Sequence, residues 1–380
     1  MIAIAGIGAL VAGLQALPSR ITRSILDSSG SMSRLASLDG LRGFLALGVV
    51  VTHAWSNYDY YFRGLPWDWP RNPYFSQCGN LAVSIFFMIT GFLFWTKARV
   101  AQGRIKARPL YENRARRILP LYYFLCCLVL LFALLRAHWP LSTPKLLVNE
   151  IIGLVVPGVH STGPIAGMER SHLMSSAWTL SYEVFFYLAF PLFAPLARTR
   201  RRAFYFLTVM LALLAIHRVL IHSYEFSLLS FWVGFVVSEM LDRHPKEMAL
   251  LRGQMLAAGA ALALMFLPWV TMGKLNPLSF GCASLVFAMV AAGSDMVGVL
   301  TLRGARLLGT ISYSVYLLHM LILAVALGEL NDVCPLSNLG TLTYCAIAAA
   351  MTFIVTGISM VTFRFIEYPW MRRHRIITCQ

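Results

Sequence analysis

The sequence has little charge, and acidic residues are especially scarce. Only 13% of its 380 residues are charged, and 16 acidic residues stand against 32 Lys and Arg. A soluble domain usually carries about 25% charged residues, so this chain lacks the charge to cover a water-exposed surface. Hydrophobic residues make up 58% of the chain, and its mean hydropathy is +0.68. The composition excludes an ordinary soluble domain and predicts an all-α, polytopic transmembrane helical bundle.

Several catalytic signatures are also missing. The sequence contains no P-loop, dinucleotide fingerprint, Gly-x-Ser-x-Gly elbow or His-Glu-x-x-His pair, which argues against phosphate-loop ATPases and zinc hydrolases, and we expect no bound metal. The net charge of +16 does not indicate nucleic-acid binding, because the charges lie in bands between apolar runs. Seven cysteines form no framework. A disulfide between Cys78 and Cys334, both near the predicted outer face, is left open.

Long apolar runs are what the chain has in abundance. We predict about ten spans, most of them close to the roughly 20 residues that cross the hydrocarbon core. The predicted spans are 41–60, 80–96, 118–136, 177–196, 203–221, 226–241, 253–271, 277–294, 309–328 and 340–363.

The positive charges orient these spans. Of the 32 Lys and Arg residues, 24 lie on one side of the predicted bundle, 7 lie on the other, and Arg42 remains within the first span. Cytoplasmic loops carry the excess of Lys and Arg. The asymmetry predicts that both termini are cytoplasmic, in a multi-pass protein that we expect in a bacterial cytoplasmic (inner) membrane.

The predicted domain organisation is a lead-in at 1–33, a membrane domain at 34–372 and a cytoplasmic tail at 373–380. The apolar residues 1–17 are slightly short for a span and lack a basic signal-peptide region. They could form an extra helix, a surface-lying segment or sequence upstream of a true start at Met32.

The first span carries two ionisable side chains on one face. Arg42 and His53 are eleven residues apart, which is about three helical turns and about 16 Å along the axis. One face therefore carries a cation near the cytoplasmic surface and a proton-transfer group deeper in the bilayer.

Other ionisable residues lie within predicted spans, where they usually face a cavity or a partner. Glu183 lies near the outer end of the fourth span and His319 near the middle of the ninth, where Ser312, Tyr316 and His319 share a stripe. Counting residues from the span ends puts His53, Glu183 and His319 at similar depths. We expect these three to border one central cavity, where a carboxylate could orient a histidine acting as general base.

A basic loop follows the second span, with eight Lys and Arg residues between 97 and 117. Its role could be limited to membrane topology: the positive charges would keep this loop on the cytoplasmic side and attract anionic membrane lipids. Alternatively, some of these cations could receive a polyphosphate ligand if the protein uses a nucleotide-bearing cosubstrate.

The sequence resembles the acyltransferase 3 family of integral membrane acyltransferases. The most specific resemblance is LDGLRG followed by Arg42, ten further residues and His53. The supporting motifs are FFMITGFLFW (86–95), WTLSYE (178–183) and SYSVYLLH (312–319). Many relatives have Ser where this chain has Thr90, and an Arg where it has Tyr368.

The resemblance implies acyl transfer, commonly of acetyl, from cytoplasmic acyl-CoA to a hydroxyl of an extracytoplasmic or lipid-linked acceptor, often a glycan. It makes Arg42 and His53 the leading functional pair, with His53 as the base. We expect Glu183 to orient that base or to bind the acceptor. The expected CoA-phosphate ligands are Arg42, Arg114, Arg116 and Arg117, and the expected cavity or acceptor residues are Trp178, Ser312, Tyr316 and His319.

Two other functions compete with this one. Ten spans with buried ionisable groups also suit a proton-coupled transporter of a small molecule or lipid-linked sugar, although no pair of broken helices recurs in the two halves. A membrane scaffold is a third alternative, but it leaves Arg42 and His53 without a purpose. Acceptor specificity is expected in the outer loops 59–79 and 137–176.

Overall fold

The structure is a computed structural model that describes residues 2–17, 36–136, 152–157, 173–221 and 226–377. These residues form helices and no strand, which confirms the all-α prediction. The longer helices are α1 (Ile2–Ala16), α2 (Ala36–Arg63), α3 (Pro73–Val100), α4 (Ala107–Arg136), α5 (Trp178–Phe193), α6 (Arg200–Ile221), α7 (Phe226–Arg243), α8 (Gln254–Thr271), α9 (Pro277–Ala292), α10 (Arg303–Thr310), α11 (Ser312–Val333), α12 (Thr341–Thr362) and α13 (Tyr368–Ile377).

Short helical segments join these helices. A π-helical turn, Phe363–Glu367, links α12 to α13, and Pro245–Ala249 is a five-residue α-helix after α7. The 3₁₀ segments are Ser175–Ala177, Ala194–Arg198, Leu250–Arg252, Val299–Thr301 and Leu336–Asn338.

A helix overlaps each of the ten predicted spans, but fewer are long and apolar enough to cross a membrane. Length and composition qualify six within the described residues: Pro73–Val100, Ala107–Leu135, Trp178–Arg198, Gln254–Thr271, Ser312–Val333 and Thr341–Arg372. Helix α2 is not among them; its last eight residues are the polar stretch SNYDYYFR. The protein is a multi-pass membrane protein, while the count of ten spans and the cytoplasmic termini stay predictions.

The outward faces of several helices are apolar, as lipid contact requires. Phe185 and Leu192 on α5 are 65% and 82% exposed, and Phe266 on α8 is 66% exposed. Soluble monomers rarely leave large contiguous apolar surfaces uncovered. These faces suit a hydrocarbon environment.

Glycines let several helices approach one another closely. A Cβ at Gly91 of α3 would lie 2.5 Å from the Phe231 carbonyl oxygen of α7, and one at Gly234 of α7 would lie 2.3 Å from the Met88 carbonyl oxygen of α3. Small residues let membrane helices approach to backbone contact. The same device joins α2 to α10, where a Cβ at Gly43 would lie 2.7 Å from the Ala305 carbonyl oxygen, and it fixes the helix that carries Arg42.

Two apolar clusters lie on either side of the cavity that Arg42 of α2 lines. One is built from α3, α4, α5 and α7 around Trp95, Phe190 and Phe235. The other joins α2, α3 and α9 around Met88 and Phe287. The cavity described below opens between them.

The N-terminal segment forms a helix against the bundle. Helix α1 contacts α10 so closely that a Cβ at Gly304 would lie 2.4 Å from the Val11 carbonyl oxygen. The alternatives for residues 1–17 stay open, because a helix here does not show where the protein starts. Met32 lies outside the described residues, as does most of the loop 137–176. Cys78 and Cys334 are both unpaired.

Candidate active site

Helix α2 carries both leading residues on one uninterrupted helix. Arg42 lies 3.9 Å from Asp39, one turn earlier, and Arg117 and Glu183 line the same cavity as Arg42. His53 lies three turns further along and is 8% exposed. The two ends of this helix have different surroundings. We call the region around Arg42 the arginine end and the region around His53 the histidine end.

At the arginine end, five helices (α2 to α5 and α11) enclose a cavity of about 820 Å³, including its open mouth. Arg42, Arg114 and Arg117 line it together with a single carboxylate, Glu183. The remaining polar lining residues are Thr90, Thr179, Tyr187, Ser312, Tyr313 and Tyr316.

Aromatic rings hold one of these arginines in place. The guanidinium of Arg114 lies over the rings of Phe94, at 5.3 Å, and Tyr187, at 5.7 Å. Its Nε is buried without a hydrogen-bond partner. The Tyr187 hydroxyl donates to Glu183, at 2.9 Å. Three guanidinium groups against one carboxylate leave the cavity lining positive, which favours an anionic ligand.

At the histidine end, two imidazoles lie side by side. The ring centres of His53 and His319 are 5.2 Å apart, and the indole of Trp69 lies 5.9 Å from His53 on another side. His319 is fully buried. An imidazole next to a substrate hydroxyl can act as a general base.

Tyr316 stands between the two ends. Its ring lines the arginine cavity and lies 6.1 Å from that of His319. Its hydroxyl hydrogen-bonds with the Thr179 hydroxyl, at 2.9 Å, and with the Ser176 carbonyl oxygen, at 3.2 Å. The cavity therefore reaches the neighbourhood of the histidines through one tyrosine.

The loop after α2 is held against the histidine end by one buried carboxylate. Asp59, 4% exposed, accepts from the Arg71 backbone N–H at 2.8 Å and pairs with Arg63 at 3.2 Å. The Trp69 ring fits a notch at Gly79, where a Cβ would lie 2.7 Å from it. Trp69 nevertheless stays 41% exposed, so it is fixed and accessible at once.

The structure gathers most of the predicted site residues but divides them. Arg42, Arg114, Arg117, Glu183, Ser312 and Tyr316 line the cavity, whereas His53 and His319 form the adjacent pair. Among the described residues, Glu183 makes no hydrogen bond or ion pair with either histidine. Glu183 instead lines the arginine cavity and accepts from Tyr187. The structure thus does not pair it with the predicted base, and a role in binding the acceptor stays a prediction.

Two predicted residues lie outside the cavity lining. Arg116 points elsewhere and comes within 4.0 Å of Glu112, one turn earlier. Trp178 packs edge-on against Tyr182, with ring centres 5.7 Å apart.

Sequence reasoning missed Tyr187, Thr179, Tyr313 and Trp69. Sequence spacing could have identified Tyr187, since it follows Glu183 by four residues and so shares its helix face. Trp69 had no such signal, because it lies in an irregular loop whose path depends on Asp59.

Comparison with known proteins decides the family. The acyltransferase 3 model, described as an acyltransferase domain, matches residues 35–363. The chain belongs to the acyltransferase 3 family. This confirms the resemblance seen in the motifs.

The acyltransferase 3 chain also resembles curated enzymes over part of its length. It is 31% identical over 169 residues to the acyltransferase MdmB of Streptomyces mycarofaciens, which covers 43% of this chain and 40% of MdmB. It is 26% identical over 183 residues to the O-acetyltransferase OatA of Staphylococcus aureus, which covers 44% of this chain and 26% of OatA. The match thus spans less than half of either relative. No solved structure matches the chain.

Proposed function

We propose that this protein transfers an acyl group, with acetyl the leading candidate, from cytoplasmic acyl-CoA to a hydroxyl of an extracytoplasmic or lipid-linked glycan. The observation that carries the proposal is the arginine-lined cavity that leads, past Tyr316, to two histidines. The family and the printed names of MdmB and OatA support the reaction class.

The arginine end would bind the donor. Guanidinium groups recognise phosphate oxygens through charge-assisted, often bidentate hydrogen bonds, and coenzyme A carries several phosphates. Arg42, Arg114 and Arg117 offer three such groups at one cavity. The largely apolar remainder of the lining suits the pantetheine arm.

The histidine end would carry the chemistry. His53 takes the proton of the acceptor hydroxyl while that oxygen attacks the thioester carbonyl carbon. The new C–O bond forms, and the C–S bond then breaks. The CoA thiolate leaves with the electron pair of that bond and receives the proton from His53. The products are an acyl ester and free CoA thiol.

The charge asymmetry of the loops supports a direction for this transfer. With the basic segments in the cytoplasm, the arginine end faces the compartment that holds acyl-CoA. The histidine end and Trp69 then lie toward the outer face, where a glycan acceptor would arrive. An inner-membrane location follows from the same argument.

Trp69 supports a sugar acceptor in particular. An exposed aromatic ring beside the base can stack on the apolar C–H face of a pyranose, and the loop that holds it is anchored by Asp59. The ring would present one hydroxyl of the sugar toward His53.

The test uses the full chain purified in detergent. With acetyl-CoA and a panel of p-nitrophenyl hexosides, we expect free CoA thiol to appear in step with an acetylated sugar, detected by mass spectrometry. The thiol should appear much more slowly without the sugar. A protein that binds acetyl-CoA yet releases no thiol with any hexoside or with lipid-linked glycan extracted from membranes would overturn the proposal. Accumulation of substrate in proteoliposomes instead would indicate the transporter.

A further inference from the structure

The hydrogen bond made by His319 fixes the form of its ring. Its Nδ1 lies 3.2 Å from the carbonyl oxygen of Val315, one turn earlier on α11. A carbonyl oxygen only accepts hydrogen bonds, so Nδ1 must carry the proton. In the neutral ring, Nε2 then holds a lone pair. That Nε2 is buried and has no hydrogen-bond partner among the described residues.

The ring of His53 has its unpartnered, buried nitrogen at the other ring position, Nδ1. The residue as a whole is 8% exposed. With Nδ1 toward the protein, Nε2 is the ring nitrogen left for a substrate. The buried nitrogen faces the protein interior, where His319 is an immediate neighbour.

The distance between the rings suits one hydrogen bond. An N–H···N bond of about 2.9 Å, added to the distance from each ring centre to its nitrogen, gives about the observed 5.2 Å between ring centres. The planes are inclined at 37°, and neither nitrogen has a partner in this arrangement of the described residues, so the rings turn toward each other when the bond forms.

A histidine base needs a partner of this kind. In catalytic triads an acceptor on Nδ1–H fixes the tautomer and stabilises the imidazolium as it forms. Within the described ranges, neither histidine hydrogen-bonds or ion-pairs with a carboxylate, and Glu183 is engaged with Tyr187. The lone pair on Nε2 of His319 is the acceptor available to Nδ1–H of His53.

We propose that His319 is the positioning residue of this site: its Nε2 accepts a hydrogen bond from Nδ1–H of His53 and so holds His53 Nε2 as the base. This inference rests on the proposed function. During transfer, His53 Nε2 takes the proton of the acceptor hydroxyl and returns it to the CoA thiolate. His319 keeps its own proton throughout and only shares the Nδ1 proton of His53.

Two amide substitutions separate this role from a packing role. His319→Gln keeps a hydrogen-bond acceptor near the place of Nε2 but loses the bond to Val315. His319→Asn keeps a donor near the place of Nδ1 for Val315 but offers nothing to His53. We expect kcat to fall about 100-fold in the Asn variant and less than about tenfold in the Gln variant. The KM for acetyl-CoA should stay unchanged in both.

The opposite order would overturn the inference. If His319 only supports packing through the Val315 carbonyl, the Asn variant should equal or exceed the Gln variant. Equal kcat in wild type and His319→Ala would overturn it as well. Retention of tritiated acetyl-CoA and a single gel-filtration peak identify variants that remain folded.

A second measurement keeps the inference separate from the proposed function. Nitrogen-15 spectra of histidine-labelled protein distinguish the two tautomers without any reaction. We expect His53 protonated at Nδ1 in wild type and a mixture of tautomers in His319→Ala. If wild type transfers no acyl group, the proposed function fails while these spectra still decide the histidine pairing. Nε2 protonation of His53 in wild type would contradict it.

Discussion

The two ends of α2 differ in what surrounds their charge. Around Arg42 the helices leave a cavity with three guanidinium groups and a carboxylate, and this excess of positive charge favours an anionic ligand. Around His53 the neighbours include two rings, those of His319 and Trp69. One end is built for binding and the other for proton transfer.

This difference teaches how one helix can serve two substrates. About three turns separate the ends, a length that a pantetheine arm can span, so the donor phosphates and the reacting thioester would occupy different surroundings. Substitutions at the arginine end should then change binding, and those at the histidine end should change turnover. The following predictions test that division.

The largest effect is expected at the base. His53→Ala should lower kcat about 10³-fold or more, because a positioned general base is lost. Binding of acetyl-CoA should persist, since the arginine cavity lies three turns away. Steady-state thiol release and radioligand retention measure the two quantities. Wild-type turnover in this variant would remove His53 from the mechanism, and lost binding would break the division between the ends.

The next effect is expected at the arginine end. Arg114→Ala should raise the KM for acetyl-CoA about 10- to 100-fold, because charge-assisted hydrogen bonds to phosphate are lost. Its kcat at saturation should change little. Arg108→Ala is the matched control on the same helix, because the Arg108 side chain is 91% exposed. If both variants raise KM equally, a general charge effect of the basic loop explains the binding better than the cavity.

Sequence predicted the helices better than their ends. The apolar run 80–96 predicted α3, but the helix begins earlier, at Pro73. The Asn72 side chain accepts from the Tyr74 N–H and so caps the helix at that point. The run 41–60 likewise became Ala36–Arg63. Apolar runs mark the buried middle of a helix, while caps and polar turns set where it starts and stops.

The candidate site was predictable along one helix and not between helices. Helical spacing alone put Arg42 and His53 on the same face. The position of Glu183 relative to the histidines was not predictable, because counting residues from a span end ignores the tilt and offset of each helix, which packing determines. The structure puts Glu183 in the lining of the arginine cavity, a placement that only three-dimensional packing reveals.

A smaller effect is expected for the acceptor. Trp69→Ala should raise the KM for a hexoside acceptor about three- to tenfold, the scale of one aromatic contact, and leave the KM for acetyl-CoA unchanged. Trp67→Ala is the control from the same loop, since the Trp67 ring packs edge-on against Tyr60, with ring centres 6.1 Å apart. Parallel titrations of both substrates measure the two values. A change in acetyl-CoA affinity instead would assign Trp69 to the donor.

The smallest effect is expected at Arg116, where sequence and structure disagree. The basic motif predicted a phosphate ligand, but the side chain lies outside the cavity lining and 4.0 Å from Glu112. An exposed ion pair of this kind contributes little, so Arg116→Ala should change the KM for acetyl-CoA less than about twofold. Competition binding with unlabelled CoA, compared directly with Arg114→Ala, measures the difference. A loss as large as that of Arg114→Ala would mean that the cavity alone does not define the donor site, and that the mouth beyond it also holds phosphate.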